Sequence, residues 1–421
     1  MGNELLAIAA RNISRNKRRT VLNMIALTIG MSIMIVSLGW VRGYFTTLYD
    51  AMIELDTGHV QILHREYLDE ARRVPLDLLV EGYGELRASL LEVDGVEHVG
   101  ARVEFELEMG NGREFMPMRG RAVEPGRERE ITTIERFIVG GRYLGGSEGN
   151  PVEADGGARV VIGRDAADML GVGPGDTVLL RVRDRHGAPN TASAEVAGVF
   201  STGYPLFDRR LVLTELSYAD WLLRLESGVT HVVLGLRDAR HPGRVAEALN
   251  AILPDRLEAH RWQRFARTMV AAVEADIGAF AILMAVLFML ILLGILNSMS
   301  MAVRERGREI GTMRAIGLKR HQLRALLMSE SAAIALLSAA VAWVFGGAFA
   351  AYVQFVGFDL AGMMPQDLPI PFGDRFYGDT RAIDFVASTA LGVVTAVLGS
   401  LGPARRAARL AIVDTMRSGS V

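Results

Sequence analysis

The chain has 421 residues, of which half are hydrophobic and 22% charged; its formal net charge is −2 and its mean hydropathy +0.24. That length exceeds one ordinary domain, and so high a hydropathy beside so many charges excludes a chain embedded in lipid throughout, so the apolar residues must be gathered into blocks. Cysteine is absent, which excludes disulfides and thiolate metal sites.

Taken in chain order, a basic stretch with Arg11, Arg15, Lys17, Arg18 and Arg19 precedes 22 uncharged residues, 20–41. A helix rises about 1.5 Å per residue and the hydrocarbon core is about 30 Å thick, so about 20 residues suffice to cross. Gly39-Trp40-Val41-Arg42 is too bulky for a signal-peptidase site, and 20–42 is read as an uncleaved span. Residues 43–55 continue it as a mixed apolar and charged helix.

The large segment 43–276 follows. Residues 86–93 read as a short helix. Over 99–109, Val103, Phe105, Leu107 and Met109 alternate with Glu104, Glu106 and Glu108, the period of a half-buried strand. Gly110-Asn111-Gly112 is a hairpin turn signal, and 114–121 returns. The Gly-, Arg- and Glu-rich stretch 126–157 reads as a loop or subdomain boundary. Strands are predicted at 159–163, 177–182, 194–200, 210–213 and 229–236, with helices through Ala166, Ala167 and Leu170 and over 245–252. The expected fold is a membrane α-helical protein with four transmembrane helices and a large extracytoplasmic α+β domain containing a β-rich subdomain. Residues 262–276 form a second flanking helix, which either pairs with 43–55 as a stalk or lies along the membrane.

Three more uncharged stretches complete the chain: 277–303, 331–358 and 385–404. Each is long enough to span. The loop 304–330 carries Arg304, Arg306, Arg308, Arg314, Lys319, Arg320 and Arg324, and the tail 405–421 carries Arg405, Arg406, Arg409 and Arg417. The loop 359–384 is instead acidic, with Asp359, Asp367, Asp374, Asp379 and Asp384 against Arg375 and Arg381. Basic flanks stay cytoplasmic, so both termini and 304–330 face the cytoplasm, while the large segment and 359–384 face outward. Residues 46–276 hold 27 basic and 38 acidic side chains, a net of −11, and the remainder is +9.

Several chemistries are excluded. A phosphate-binding loop needs Gly-Lys-Ser/Thr, yet Lys17 follows Asn16 and Lys319 follows Leu318. Gly145-Gly146-Ser147-Glu148-Gly149 matches a nucleophile elbow in letters only, with Pro151 close behind and no strand–turn–helix context. The eight histidines form no H-x-x-x-H pair, and nothing points to a nucleic-acid partner. The four uncharged stretches 20–41, 277–303, 331–358 and 385–404 contain no Asp, Glu, Lys, Arg or His, which disfavours a proton-coupled carrier. Asn297 and Ser298 are expected to form an interhelical hydrogen bond.

Within the cytoplasmic loop, Ile310, Met313, Ile316, Leu323, Leu326 and Leu327 recur at helical spacing, as in a short helix along the membrane. Arg308-Glu309-Ile310-Gly311-Thr312-Met313-Arg314-Ala315-Ile316-Gly317 resembles the coupling-helix signature of the MacB/FtsX-like superfamily of ABC permeases. The opening Ala10-Arg11-Asn12-Ile13-Ser14-Arg15-Asn16-Lys17-Arg18-Arg19-Thr20 resembles that family's elbow helix, here 1–19. One span, a large outer domain and three spans is the family's order. Residues 198–208 are similar to a Phe-x-Thr-Gly element of lipoprotein-releasing permeases, with Phe200, Thr202, Gly203 and Asp208 at its motif positions. An acidic residue usual just before the final Asp is replaced by Leu206 and Phe207.

The resemblance implies a non-enzymatic permease subunit without cofactor of its own, ATP and Mg being handled by a cytoplasmic ABC ATPase dimer docked at 308–317. It implies a second permease, identical or a sibling, contact with membrane lipid, and a lipoprotein cargo with a periplasmic chaperone or adaptor. A MacB-type efflux permease and an FtsX-type regulator of a wall hydrolase are the other functions compatible with it. Ala342, Gly346 and Ala350 are small enough to serve the contact between permeases.

Overall fold

The computed structural model describes residues 17–145, 158–238, 241–359 and 375–409. The expected elbow helix before Lys17, residues 146–149 of the Gly-x-Ser-x-Gly pattern, most of the 359–384 loop and the tail from 410 lie outside the described residues. The chain divides into two compact units, one of Met1–Thr46, Ala271–Gly362 and Arg375–Val421, the other of Thr47–Val270 with Met363–Asp374.

Helix α1 (Lys17–Met52) contains the first apolar block and ends in a π-helical turn, Ile53–Thr57. The outer domain then runs β1 (Val60–His64), α2 (Tyr83–Leu91), β2 (Val96–Gly110), β3 (Phe115–Val123), α3 (Pro125–Ile131), β4 (Ile138–Gly141), β5 (Arg159–Gly163), α4 (Arg164–Leu170), β6 (Thr177–Arg183) and β7 (Pro189–Phe200). It continues through α5 (Pro205–Arg210), β8 (Leu211–Glu215), α6 (Leu216–Leu223), β9 (His231–Leu236), α7 (Pro242–Asn250) and β10 (Leu257–Arg261).

Strand β2 organises both halves of this domain. Its first half, from Val96 to Arg102, pairs with β9, extending the antiparallel order β10–β1–β9–β2. Its second half pairs with β3 on one side and β6 on the other, and the ring β2–β3–β8–β5–β7–β6 closes on itself as a six-stranded barrel. Closure removes the free edges that would otherwise template association. Alternation along the strands sorts the side chains: Val160, Ile162 and Val212 join the main core, while Val161, Leu211 and Leu213 join a second core with Phe200 and Leu144 on the other face. The β2–β3 turn works because Asn111 Oδ1 accepts from the backbone N–H of Arg113 (2.9 Å) and Glu114 (3.1 Å). Gly120 is needed in β3 because a Cβ there would enter the Phe105 ring.

The structure adds β1 and β10, which the sequence reading left unassigned, and resolves part of the predicted 126–157 loop into α3, a 3₁₀ turn (Ile134–Phe137) and β4. The flanking segments pack within this unit: Ile53, Trp262 and Ala266 form a small core with Tyr49, Met52 and Val270, and Tyr49 lies 5.0 Å from the Trp262 ring.

Helices α8 (Arg267–Glu305), α9 (Gly307–Ala315), α10 (Arg320–Phe355) and α11 (Ala382–Arg409) complete the chain. Among the described residues four helices, including α1, are long and apolar enough to cross a membrane, and the outer domain is extracytoplasmic by the charge bias of the flanks. Glycines let them approach: an added Cβ would strike Ile291 from Gly30, Ser32 from Gly346, Met31 from Gly392 and Ile295 from Gly399. Ala342, Gly346 and Ala350 are therefore buried inside the chain rather than offered to a second permease. Asn297 lies on an exposed face of α8 instead of between helices. Ile29, Leu283, Leu290, Phe345 and Leu398 point outward, as lipid-facing residues do. At the outer end of the bundle, Trp40 stacks 4.3 Å from Phe376, and Arg42 holds Asp384 through two bonds of 2.8 Å.

Candidate functional site

The coupling candidate is built at the junction of α8, α9 and α10. Arg306 stands between α8 and α9 with non-helical φ −98° and ψ 18°; its N–H closes α8 on Ala302 O (3.0 Å) and its carbonyl accepts from Ile310 N (3.0 Å), opening α9. The end of α9 is set by Gly317 at φ +110°, a conformation glycine adopts without penalty. Gly317 N donates to Arg314 O (3.1 Å) and Leu318 N to Met313 O (3.1 Å), satisfying carbonyls that the helix end leaves open. Lys319 then begins α10, its N–H bonded to Gln322 Oε1 at 2.9 Å.

These stops give α9 two faces. Ile310 and Gly311 are buried, and Met313 packs with Leu318 against a core that includes Val303, Leu323, Leu327 and Ala407. Arg308, Thr312, Ala315 and Ile316 recur at helical spacing on the exposed side, and Ile316, expected on the apolar face with Ile310 and Met313, is instead 82% exposed because it lies beyond the last turn that packs on the bundle. Thr312 Oγ1 is turned back on Arg308 O at 2.9 Å. Glu309 and Arg314 are half-buried, Glu309 accepting from Arg306 Nε at 3.1 Å. The ten signature residues thus divide between an anchoring face and a presented one.

The outer motif is a closed clasp. Phe200 ends β7 fully buried. Asp208, in α5 and 4% exposed, takes the backbone N–H of Thr202 (2.9 Å) and Gly203 (3.2 Å) and the hydroxyl of Thr202 (2.7 Å). Gly203 has φ +77°, and Thr202 Oγ1 also accepts from Tyr204 N (3.1 Å). Gly163 lacks the Cβ that would collide with the Asp208 backbone. A carboxylate so occupied fixes the turn; its acceptor sites are spent inside the loop.

A network that sequence reasoning missed lies where the π-helical turn Ile53–Thr57 packs on the sheet of the outer domain. Glu104, expected on the solvent face of β2, is 4% exposed. It accepts from Arg121 Nε (2.6 Å) and Arg119 Nε (2.7 Å), and Arg121 also pairs with Asp56 in the π-helical turn. Arg102, fully buried, forks onto Glu128 (2.6 and 3.1 Å) and donates to Asp56 O. Buried pairing holds the Glu104 carboxyl well below, and the Arg121 guanidinium well above, their ordinary ranges, although burial alone pushes each the other way. The available signal was opposed charge at cross-strand positions Glu104 and Arg121, which the register places opposite one another. A cleft of about 990 Å³ opens beside it, lined by Arg72, Glu106, Arg119, Arg181, Arg183 and Arg210 among others. Among the described residues no three His, Cys, Asp or Glu side chains are grouped to hold a metal ion.

Comparison with known proteins adds a second line. The MacB-like periplasmic core domain family matches residues 20–252, more than half the chain, and the FtsX-like permease C-terminal family matches 281–412. The lipoprotein-releasing system transmembrane protein LolC of Xylella fastidiosa is 21% identical, over 98% of each chain. LolC of Neisseria meningitidis is 21% identical over 94% of each. The macrolide export ATP-binding/permease protein MacB of Bordetella avium is 22% identical over 99% of this chain and 60% of its own length.

Proposed function

The chain belongs to the MacB/FtsX-like superfamily of ABC transporter permeases, and on that premise we propose that it takes the stroke of a separate ATPase at residues 308–317 and delivers it outward to release lipoproteins from the membrane. The observation that carries this reading is the two-faced helix α9. One face is fastened to the membrane helices through Ile310 and Met313, while Arg308, Thr312, Ala315 and Ile316 stand in the open. An exposed isoleucine among charges is the composition of a docking surface.

ATP-driven closure of a cytoplasmic ATPase dimer would press on that face. α8 and α10 run without a break from this junction through their apolar blocks, so displacement travels along rods. The ATPase can shift the permease only by its difference in affinity for the two permease states. Two permeases, identical or siblings, would flank one ATPase dimer, and a periplasmic chaperone or adaptor would receive the cargo. ATP and Mg belong to the partner, consistent with the lack of a Gly-Lys-Ser/Thr sequence here.

Co-purification with the ATPase and ATP-dependent appearance of a lipidated protein outside proteoliposomes test the two halves separately. Gly317→Pro with Arg314→Glu should abolish both; survival of both overturns the coupling role. Retention of the lipoprotein by the unaltered complex with ATP overturns the cargo. A MacB-type extrusion role is the second reading, favoured by Leu206 and Phe207 standing where an acid is usual.

A further inference from the structure

We infer that Arg306 and Glu330 form a positioning latch that aims the coupling helix, so that the pair governs how much of the ATPase stroke reaches the spans without itself touching the ATPase. The inference rests on the coupling role proposed for α9 and extends it to two residues outside the signature. Arg306 is where α8 stops and α9 starts, and its backbone belongs to both helices. Its side chain, 17% exposed, reaches two ways: Nε to Glu309 at 3.1 Å, one turn into α9, and Nη1 to both oxygens of Glu330 at 3.4 Å. Glu330 lies on α10, 12% exposed and just before the third apolar block. One guanidinium therefore joins three helices.

Two features make this more than a surface ion pair. Both partners are largely withdrawn from water, where a broken pair leaves a poorly solvated charge. The planar fork of arginine also imposes a direction that a lysine ammonium does not. The apolar contacts of Ile310 and Met313 hold α9 against the bundle, yet such contacts are non-directional; the Arg306 fork sets the angle.

The chain has no cysteine, so two introduced ones are unique labels. Ala315 in α9 and Ala325 in α10 are exposed and suit spin labels as Ala315→Cys and Ala325→Cys, read in the chain without its ATPase because Ala315 belongs to the presented face. In the doubly labelled full-length chain without ATPase we expect Arg306→Met to broaden the label–label distance distribution, and Glu330→Gln to do the same. The unlabelled variants, with Ala315 and Ala325 unaltered, should still bind the ATPase with less than about threefold change in affinity, because the presented face is intact, while permease control of ATP turnover falls about tenfold. Arg306→Lys should restore charge but only part of the control. An unchanged distance distribution in both variants overturns the latch. So does loss of ATPase binding in both variants with the distribution unchanged or the fold intact, since that would make Arg306 a docking residue. If Ile316→Asp leaves the ATPase bound while Arg306→Met still broadens the distances, the coupling surface is misassigned and the latch stands.

Discussion

Acidification should loosen the outer domain through His231, and the structure sets the size of the effect. His231 opens β9 fully enclosed, its Nδ1 2.7 Å from Thr230 Oγ1 and the Tyr67 ring edge-on at 4.7 Å. Burial lowers its pKa from 6.5 to about 4; Glu104 opposes the shift, and Arg119, Arg102 and Arg121 add to it. In the unfolded chain the imidazole protonates near its ordinary value, so across this window the unfolded state holds the extra proton and stability falls as pH falls. At about 1.4 kcal/mol per unit, the loss is complete near the folded value and amounts to about 3 kcal/mol. Glu104 acts in a different window: its contribution is present above the ordinary carboxylate value and is lost only as pH falls toward its depressed folded value. Hydrogen–deuterium exchange of β2 and β9 amides in the detergent-solubilised chain, corrected for intrinsic exchange, reads the opening free energy as a function of pH. His231→Gln should remove its own share of the slope between about pH 6.5 and 4, leaving that of His59 and His260, whose pKa values burial also lowers. Parallel slopes in the two proteins would refute the assignment of a neutral, enclosed imidazole.

Three further outcomes follow from other sites. Asp208→Ala leaves Thr202 and Gly203 donors unpaired and should cost about 2–3 kcal/mol, read as faster proteolysis at 201–204 and a lower melting temperature. Gly317→Ala meets no atom within 4 Å, so its cost should be the backbone strain of φ +110° alone, about 1–3 kcal/mol, with ATPase association weakened rather than lost. Arg42→Met strands Asp384, which is 3% exposed at its side chain. It should destabilise the bundle by about 3 kcal/mol, followed by the intrinsic fluorescence of Trp40 and Trp343 on heating.

Helix α9 shows where local sequence suffices. The spacing of Ile310 and Met313 and the glycine at its end are near-neighbour properties with their expected counterparts in the geometry, whereas Ile316, expected on the same apolar face, is exposed. The strand containing Glu104 shows the opposite. Period two places Glu104, Glu106 and Glu108 together on a polar face, and Glu106 and Glu108 are indeed exposed. Glu104 alone is covered, because Asp56 and His231 arrive from 48 residues before it and 127 after it. β1 and β10 escaped notice for a related reason. Val60–His64 and Leu257–Arg261 are five-residue strands with polar interruptions that gain their register only by pairing with each other and with β9.

The small residues of α10 carry the same lesson in the membrane. Spacing shows that Ala342, Gly346 and Ala350 share one helix face, but only packing decides that Ser32 of the same chain fills it. By itself the sequence determined the four crossings, their orientation and the ends of helix α9, because length, charge bias and glycine punctuation act over a few turns. The closed barrel, the charges gripping the π-helical turn and the Arg306 junction were settled by tertiary structure, because each depends on residues far apart in the chain whose charges lose their water only when the fold brings them together.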